Sequence, residues 1–200
     1  MARTKAYEEK IVKLILIKEG TYDLKEEIII ACPLSIHGAG QDNTILQRKG
    51  IVIQGTKEEG KRVAMQGMTM KGSSEYGLYA DSGLSFLCKD MTFTQCGNSG
   101  VYAWNTKGRV INCVITQCRW SGIRCFVNAL IELEGDQTKV DGNGTSGNSS
   151  SYGLYSSDTS STIHLLFPLT KESVSTNNHE GRNYCPETEG TLYGTIETEG

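Results

Sequence analysis

The sequence predicts an all-β solenoid, in which short strands wind into coils that stack on one another. Two observations carry this reading. The phrase Gly-apolar-X-small-X occurs four times, as Gly77-Leu78-Tyr79-Ala80-Asp81, Gly100-Val101-Tyr102-Ala103-Trp104, Gly122-Ile123-Arg124-Cys125-Phe126 and Gly153-Leu154-Tyr155-Ser156-Ser157. The first three glycines are spaced by 23 and 22 residues and the last gap is 31. A near-fixed period of this size marks units that bury their apolar faces against one another, and it is too short for helix pairs. Inside each copy the apolar residues alternate with a period of two, which belongs to strands.

The bulk composition agrees. The chain has 200 residues, 38% of them apolar, with a net charge of −3, enough to bury a core in one domain. Its 23 glycines against three prolines suit an ordered fold with many tight turns. No Lys/Arg stripe exists to neutralise phosphates, which argues against a nucleic-acid partner. No apolar segment is long enough to span a bilayer, and Ile11 to Ile17 is too short and too interrupted by Lys13 for a signal peptide. The seven cysteines are odd in number and lack a zinc-type pair, so they read as small fillers of a narrow core. Sequons stand at Asn143 and Asn148.

The elements follow in order. Residues 1–10 are expected to cap the first coil, because an open stack of strands invites aggregation. Apolar runs at Ile11–Ile17, Ile28–Ile30, Leu34–Ile36, Thr44–Leu46 and Ile51–Ile53 are separated by glycine-bearing turns. Then Phe86, Cys88, Met91 and Phe93 repeat as Gly108, Val110, Cys113 and Ile115, with Val63, Met65, Met68 and Met70 one coil earlier. Asp90 and Asn112 interrupt this alternation at the same place and read as a turn, and Cys96 over Cys118 reads as a stacked pair at the next corner. Each coil therefore has about three strands, and length over period gives roughly eight coils. The Gly/Asn/Ser-rich residues 141–152 account for the long gap and are expected to bulge as a loop. Coils end near Leu166, and 167–200 form a ragged last coil or a C-terminal cap.

The Gly20-Thr21-Tyr22 turn, the Leu34-Ser35-Ile36-His37-Gly38-Ala39-Gly40 coil with Thr44-Ile45, and the Gly-apolar-X-small phrases together resemble the right-handed parallel β-helix, or pectin-lyase-like, superfamily over residues 11–166. The resemblance implies the right-handed winding. Members include polysaccharide lyases, hydrolases, epimerases, carbohydrate binders and interaction proteins, so it implies no single activity.

With Leu78, Val101, Ile123 and Leu154 inward, the outward rows are Tyr79–Tyr102–Arg124–Tyr155 and Asp81–Trp104–Phe126–Ser157. Rings about one strand spacing apart suit the apolar faces of sugars, and Arg124 suits a hydroxyl or carboxylate. The candidate glycan site is thus Tyr79, Tyr102, Trp104, Arg124, Phe126 and Tyr155. Two other readings stand beside it. Aromatics favour strands without any ligand, or the stripe is covered by residues 141–152, by the C-terminal segment or by a second copy.

Catalysis has weaker support. Asp81 and Arg124 are its only candidates on the stripe, with Asp158 at the margin, and the Asn-Thr-Asp and Gly-His-Gly signatures of related polygalacturonases are missing. His37, His164 and His179 share no metal-ligand spacing, and no cofactor or metal is implied. The expected function is a non-catalytic carbohydrate-recognition or adhesion module. A lyase- or epimerase-like enzyme and a structural or interaction solenoid that self-associates through the stripe are the alternatives.

Overall fold

The computed structural model describes residues 13–56, 61–186 and 193–199. They form a parallel β-solenoid in which every pairing between named strands is parallel. One sheet has 6 strands, running from Ile28–Ile30 through Ile51–Ile53, Leu78–Asp81, Val101–Trp104 and Ile123–Phe126 to Leu154–Ser156. The other has 13 strands and folds around the remaining two sides. The expected cap at 1–10 lies outside the described residues.

The fold of that larger sheet comes from a column of left-handed residues. Gly67, Asp90, Asn112 and Gly135 have φ of 65°, 49°, 50° and 85°, and each lies one coil above the last. A single αL residue turns the strand without ending it, so Arg62–Lys71 and Ser85–Thr94 run through the corner as ten-residue bent strands. The Asp90/Asn112 break in the sequence is this corner. A second left-handed column, Gly72, Gln95, Gln117, Gly142 and Asn177, makes the next corner. There the Gln95 side chain donates to the Gln117 amide oxygen at 3.2 Å.

The repeat glycines have a different task. A Cβ on Gly77 would meet the Phe93 ring at 2.8 Å, on Gly100 it would meet Ile115 at 2.4 Å, and on Gly122 it would meet Val140 at 2.3 Å. Each coil must bring its backbone against the opposite wall at this point, and only a missing side chain leaves room. The period in the sequence is therefore the period of a tight crossing. Inside, Val63, Met65, Met68, Met70, Phe86, Met91, Phe93, Ile115, Ile131 and Leu133 form one continuous core.

Behind the second corner, Ser73, Cys96, Cys118, Asn143 and Asn178 make a buried inward column. Residues 142–152 carry turns and no strand, and the start of this expected loop is anchored in that column. Asp141 ends the strand Lys139–Asp141, and Asn143 is sealed inside the solenoid at 1% exposure. Its side chain accepts from Cys118 N–H at 3.0 Å and donates to Ile115 O and to Asn178 Oδ1. The Asn143 sequon is thereby closed to a glycan in the folded chain. Past Lys171 the chain adds further rungs: Ser175–Thr176 on Val140–Asp141, Tyr184 beside Leu154, and Thr195–Thr198 on Thr162–Leu165.

Among the described residues, which include all seven cysteines, no disulfide forms. Six are buried as core fillers, and the exception is Cys32, which is exposed. Burial pushes the Cys113 and Cys125 thiols up to about 12 and Cys88 well above the ordinary thiol range. Titration of the native protein with a thiol reagent at pH 8 is expected to modify one cysteine rapidly, and Cys32→Ser to abolish that fast phase. Fast reaction of several would contradict the buried column.

Candidate functional site: an aromatic wall around Arg124

The six-stranded sheet fixes the wall. Inward Leu78, Ala80, Val101, Ala103, Ile123 and Cys125 have 0% exposure, which turns their neighbours outward. Tyr79, Tyr102, Arg124 and Tyr155 are direct partners on successive strands, as are Asp81, Trp104 and Phe126. Ser157 sits just past the last strand, where Arg124 Nε donates to its hydroxyl at 3.4 Å. All six candidate binding residues are thus brought onto one wall.

Their packing differs from the expected row of open ring faces. Tyr79 and Tyr102 stack on each other with centroids 5.2 Å apart and planes 17° apart. Their faces are spent on one another, and Tyr102 keeps only 6% of its surface. Trp104 stands at 81° to Tyr102 and at 86° to Phe126, so its indole plane runs across the stack. Ring contacts of this kind each contribute about 0.5–1.5 kcal/mol beyond burial.

Three further tyrosines complete the wall. Tyr76 lies 5.3 Å from Tyr79 and 5.1 Å from Tyr102, while Tyr152 and Tyr193 lie 5.2 Å and 5.8 Å from Tyr155. The sequence carried a signal for two of them. Tyr76 and Tyr152 directly precede the glycine in the first and last copies of the phrase, where the middle copies have buried Ser99 and Ser121. Tyr193 shares no position in the repeat and had no such signal. Its contact realises in part the alternative that the C-terminal segment covers the stripe.

Arg124 joins the two tyrosine groups. Its guanidinium carbon is 5.3 Å from the Tyr102 ring, 5.0 Å from Tyr155 and 5.9 Å from Phe126. No carboxylate among the described residues lies within ion-pair distance of it. Burial pushes Tyr102 up to about 12, with the Arg124 charge working the other way. A phenol raised from 10.0 to about 12 favours folding below pH 10, and that contribution is lost as pH climbs toward 12. Absorbance titration of tyrosinate is expected to show a late phase near pH 12, shared with Tyr152, that Tyr102→Phe reduces, together with falling stability over the same window.

The candidate catalytic residues are not assembled into a pair. Asp158 accepts from Val127 N–H at 2.6 Å, from Ser160 N–H at 2.8 Å and from the Ser161 hydroxyl at 2.8 Å. Burial works to raise its carboxyl, but these hydrogen bonds outweigh it and hold the group below its ordinary value of 3.8. Asp158 therefore organises a corner. Asp81 remains beside Trp104 on the wall. His164 faces outward on another wall between Glu132 and Glu197, its partners on the adjacent strands. Among the described residues no group of three His, Cys, Asp or Glu side chains is placed to hold a metal ion, and no helix is long and apolar enough to cross a membrane.

The parallel coils, the left-handed corners and the inward polar column are properties that comparison with known families can test. The family model of the right-handed β-helix region matches residues 49–182. The chain belongs to that family. No curated protein and no solved structure matches it. The match runs from the second rung of the wall past its last strand, so the right-handed β-helix carries the whole of the Tyr79–Tyr155 row.

Proposed function

We propose that this β-helix is a non-catalytic carbohydrate-recognition module that binds a glycan along the Tyr79–Tyr155 wall. The observation that supports it most is Arg124, a cation held between aromatic rings with no carboxylate partner among the described residues. Such a guanidinium keeps N–H donors for a ligand's hydroxyls or carboxylate, while its apolar faces are already covered. Trp104, turned across the tyrosine stack, supplies a flat surface of the kind that packs on a sugar ring. A recognition role fits better than hydrolysis or elimination, because Asp158 is committed to organising its corner rather than paired with Asp81.

A glycan panel read by isothermal titration calorimetry tests this. Trp104→Ala is expected to weaken a bound glycan roughly tenfold, the equivalent of about 1.4 kcal/mol of ring contact. Arg124→Gln is expected to weaken it by a similar factor while the protein stays folded. Absence of any glycan binding, or binding indifferent to both changes, would sink the reading. A protein-interaction solenoid would then be favoured by the near-complete burial of Tyr102 among other rings.

A further inference from the structure

On the side of the solenoid away from the wall's strands, the bent sheet carries a cleft of about 250 Å³ lined by Arg62, Ser85, Phe86, Lys107, Gly108, Arg109, Leu130 and Glu132. Strand register explains the cluster. Arg62 pairs with Ser85, Gly108 with Phe86, and Lys107 with Leu130, so the chain places cations on strands two steps, or about 10 Å, apart with a serine between them. Arginine and lysine side chains are long enough to converge across that distance.

The charges are not all neutralised from within. Arg109 reaches Glu134 through Nη2 at 2.8 Å, and Glu132 lies 3.9 Å from its Nε. That Nε is sealed from solvent and has no hydrogen-bond acceptor. Neither Arg62 nor Lys107 is ion-paired among the described residues. The floor is Leu130 and the bare backbone of Gly108, beneath which the Phe86 ring is buried in the core. The volume equals that of roughly eight liquid waters, the scale of a monosaccharide with one substituent.

We propose that this cleft is an anion site that takes a sugar carrying a phosphate or sulfate ester. The ester oxygens accept from Arg62 and Lys107, and the sugar body lies on Leu130 and the Gly108 backbone. Glu132 on the rim disfavours a second negative charge and leaves the ester as the anchoring group. The site shares no residue with the aromatic wall and stands or falls apart from it.

Titration at low ionic strength with glucose 6-phosphate, glucose 6-sulfate, inorganic phosphate and unmodified glucose, followed by amide NMR, tests the proposal. Saturable shifts of the Gly108 and Lys107 amides are expected with at least one ester, and none with glucose. Which ester binds more tightly separates a phosphorylated source from a sulfated one, and either result supports the site. Arg62→Gln and Lys107→Gln, both exposed positions, are each expected to weaken binding roughly tenfold. Trp104→Ala is expected to leave it unchanged, and added salt to weaken it. The proposal is overturned if neither ester binds, if inorganic phosphate binds while both esters are excluded, or if the Arg62→Gln/Lys107→Gln double variant binds as the wild type does.

Discussion

Asn143→Leu is expected to destabilise the protein by about 3 kcal/mol or more, a large share of the total for a domain of this size. Leucine has nearly the right volume and none of the right atoms. It would strand the Cys118 N–H and the Ile115 carbonyl, which the Asn143 side chain now satisfies at 3.0 Å each, and remove its bond to Asn178 at 3.1 Å. Each such group left without a partner away from water costs about 1–3 kcal/mol. Asn178 continues the same column, donating to Val140 O at 3.1 Å and Thr176 O at 2.9 Å, so the damage passes to the next coil. Urea unfolding measures it. Asn148→Leu, the same exchange five residues on, is the control: its side chain accepts only from Ser150 N–H at 2.8 Å, and a change within about 0.5 kcal/mol is expected. Equal effects at the two positions would show that Asn143 is not buried.

Gly122→Val is the second large effect. Its Cβ alone would lie 2.3 Å from Val140 Cγ1, 2.8 Å from Asn143 Nδ2 and 2.9 Å from Gly153 O, and the two methyls add to the collision. Overpacking a filled interior costs about 1–3 kcal/mol for modest insertions, and here backbone must also move, so a loss of about 3 kcal/mol or failure to fold is expected. Gly142 separates this cause from conformational freedom. It has φ of 64° and nothing nearer than 3.8 Å to an added Cβ. Gly142→Ala should therefore cost only about 1 kcal/mol of backbone strain, and Gly142→Asn less, because Gln95, Gln117 and Asn177 adopt the same left-handed conformation in that column. If Gly122→Val proves as mild as Gly142→Ala, the crossing is looser than described.

Much of the fold was legible because a solenoid repeats its local constraints. The phrase around Gly77, Gly100, Gly122 and Gly153 gave the strand register, and Tyr79, Tyr102, Arg124 and Tyr155 are direct neighbours as their spacing requires. The Asp90/Asn112 interruption gave the corner. The glycine, asparagine and serine of residues 141–152 gave a loop by composition but no sign that Asn143 turns inward. Asn143 is nevertheless interior, since the coil offers it a cysteine N–H, a carbonyl and a second asparagine as partners. Cys32 was read with the other cysteines as core, and its coil leaves it at the surface.

The sequence by itself determined which side chains share a wall, because strand alternation and a fixed period assign faces and neighbours without reference to anything distant. Only the tertiary structure decided how those side chains use their surfaces. Tyr79 and Tyr102 spend their faces on each other, Tyr193 arrives from a distant segment, and Arg62, Lys107 and Arg109 line one cleft. Those outcomes depend on rotamers and on contacts between coils, which a linear pattern of residue types does not encode.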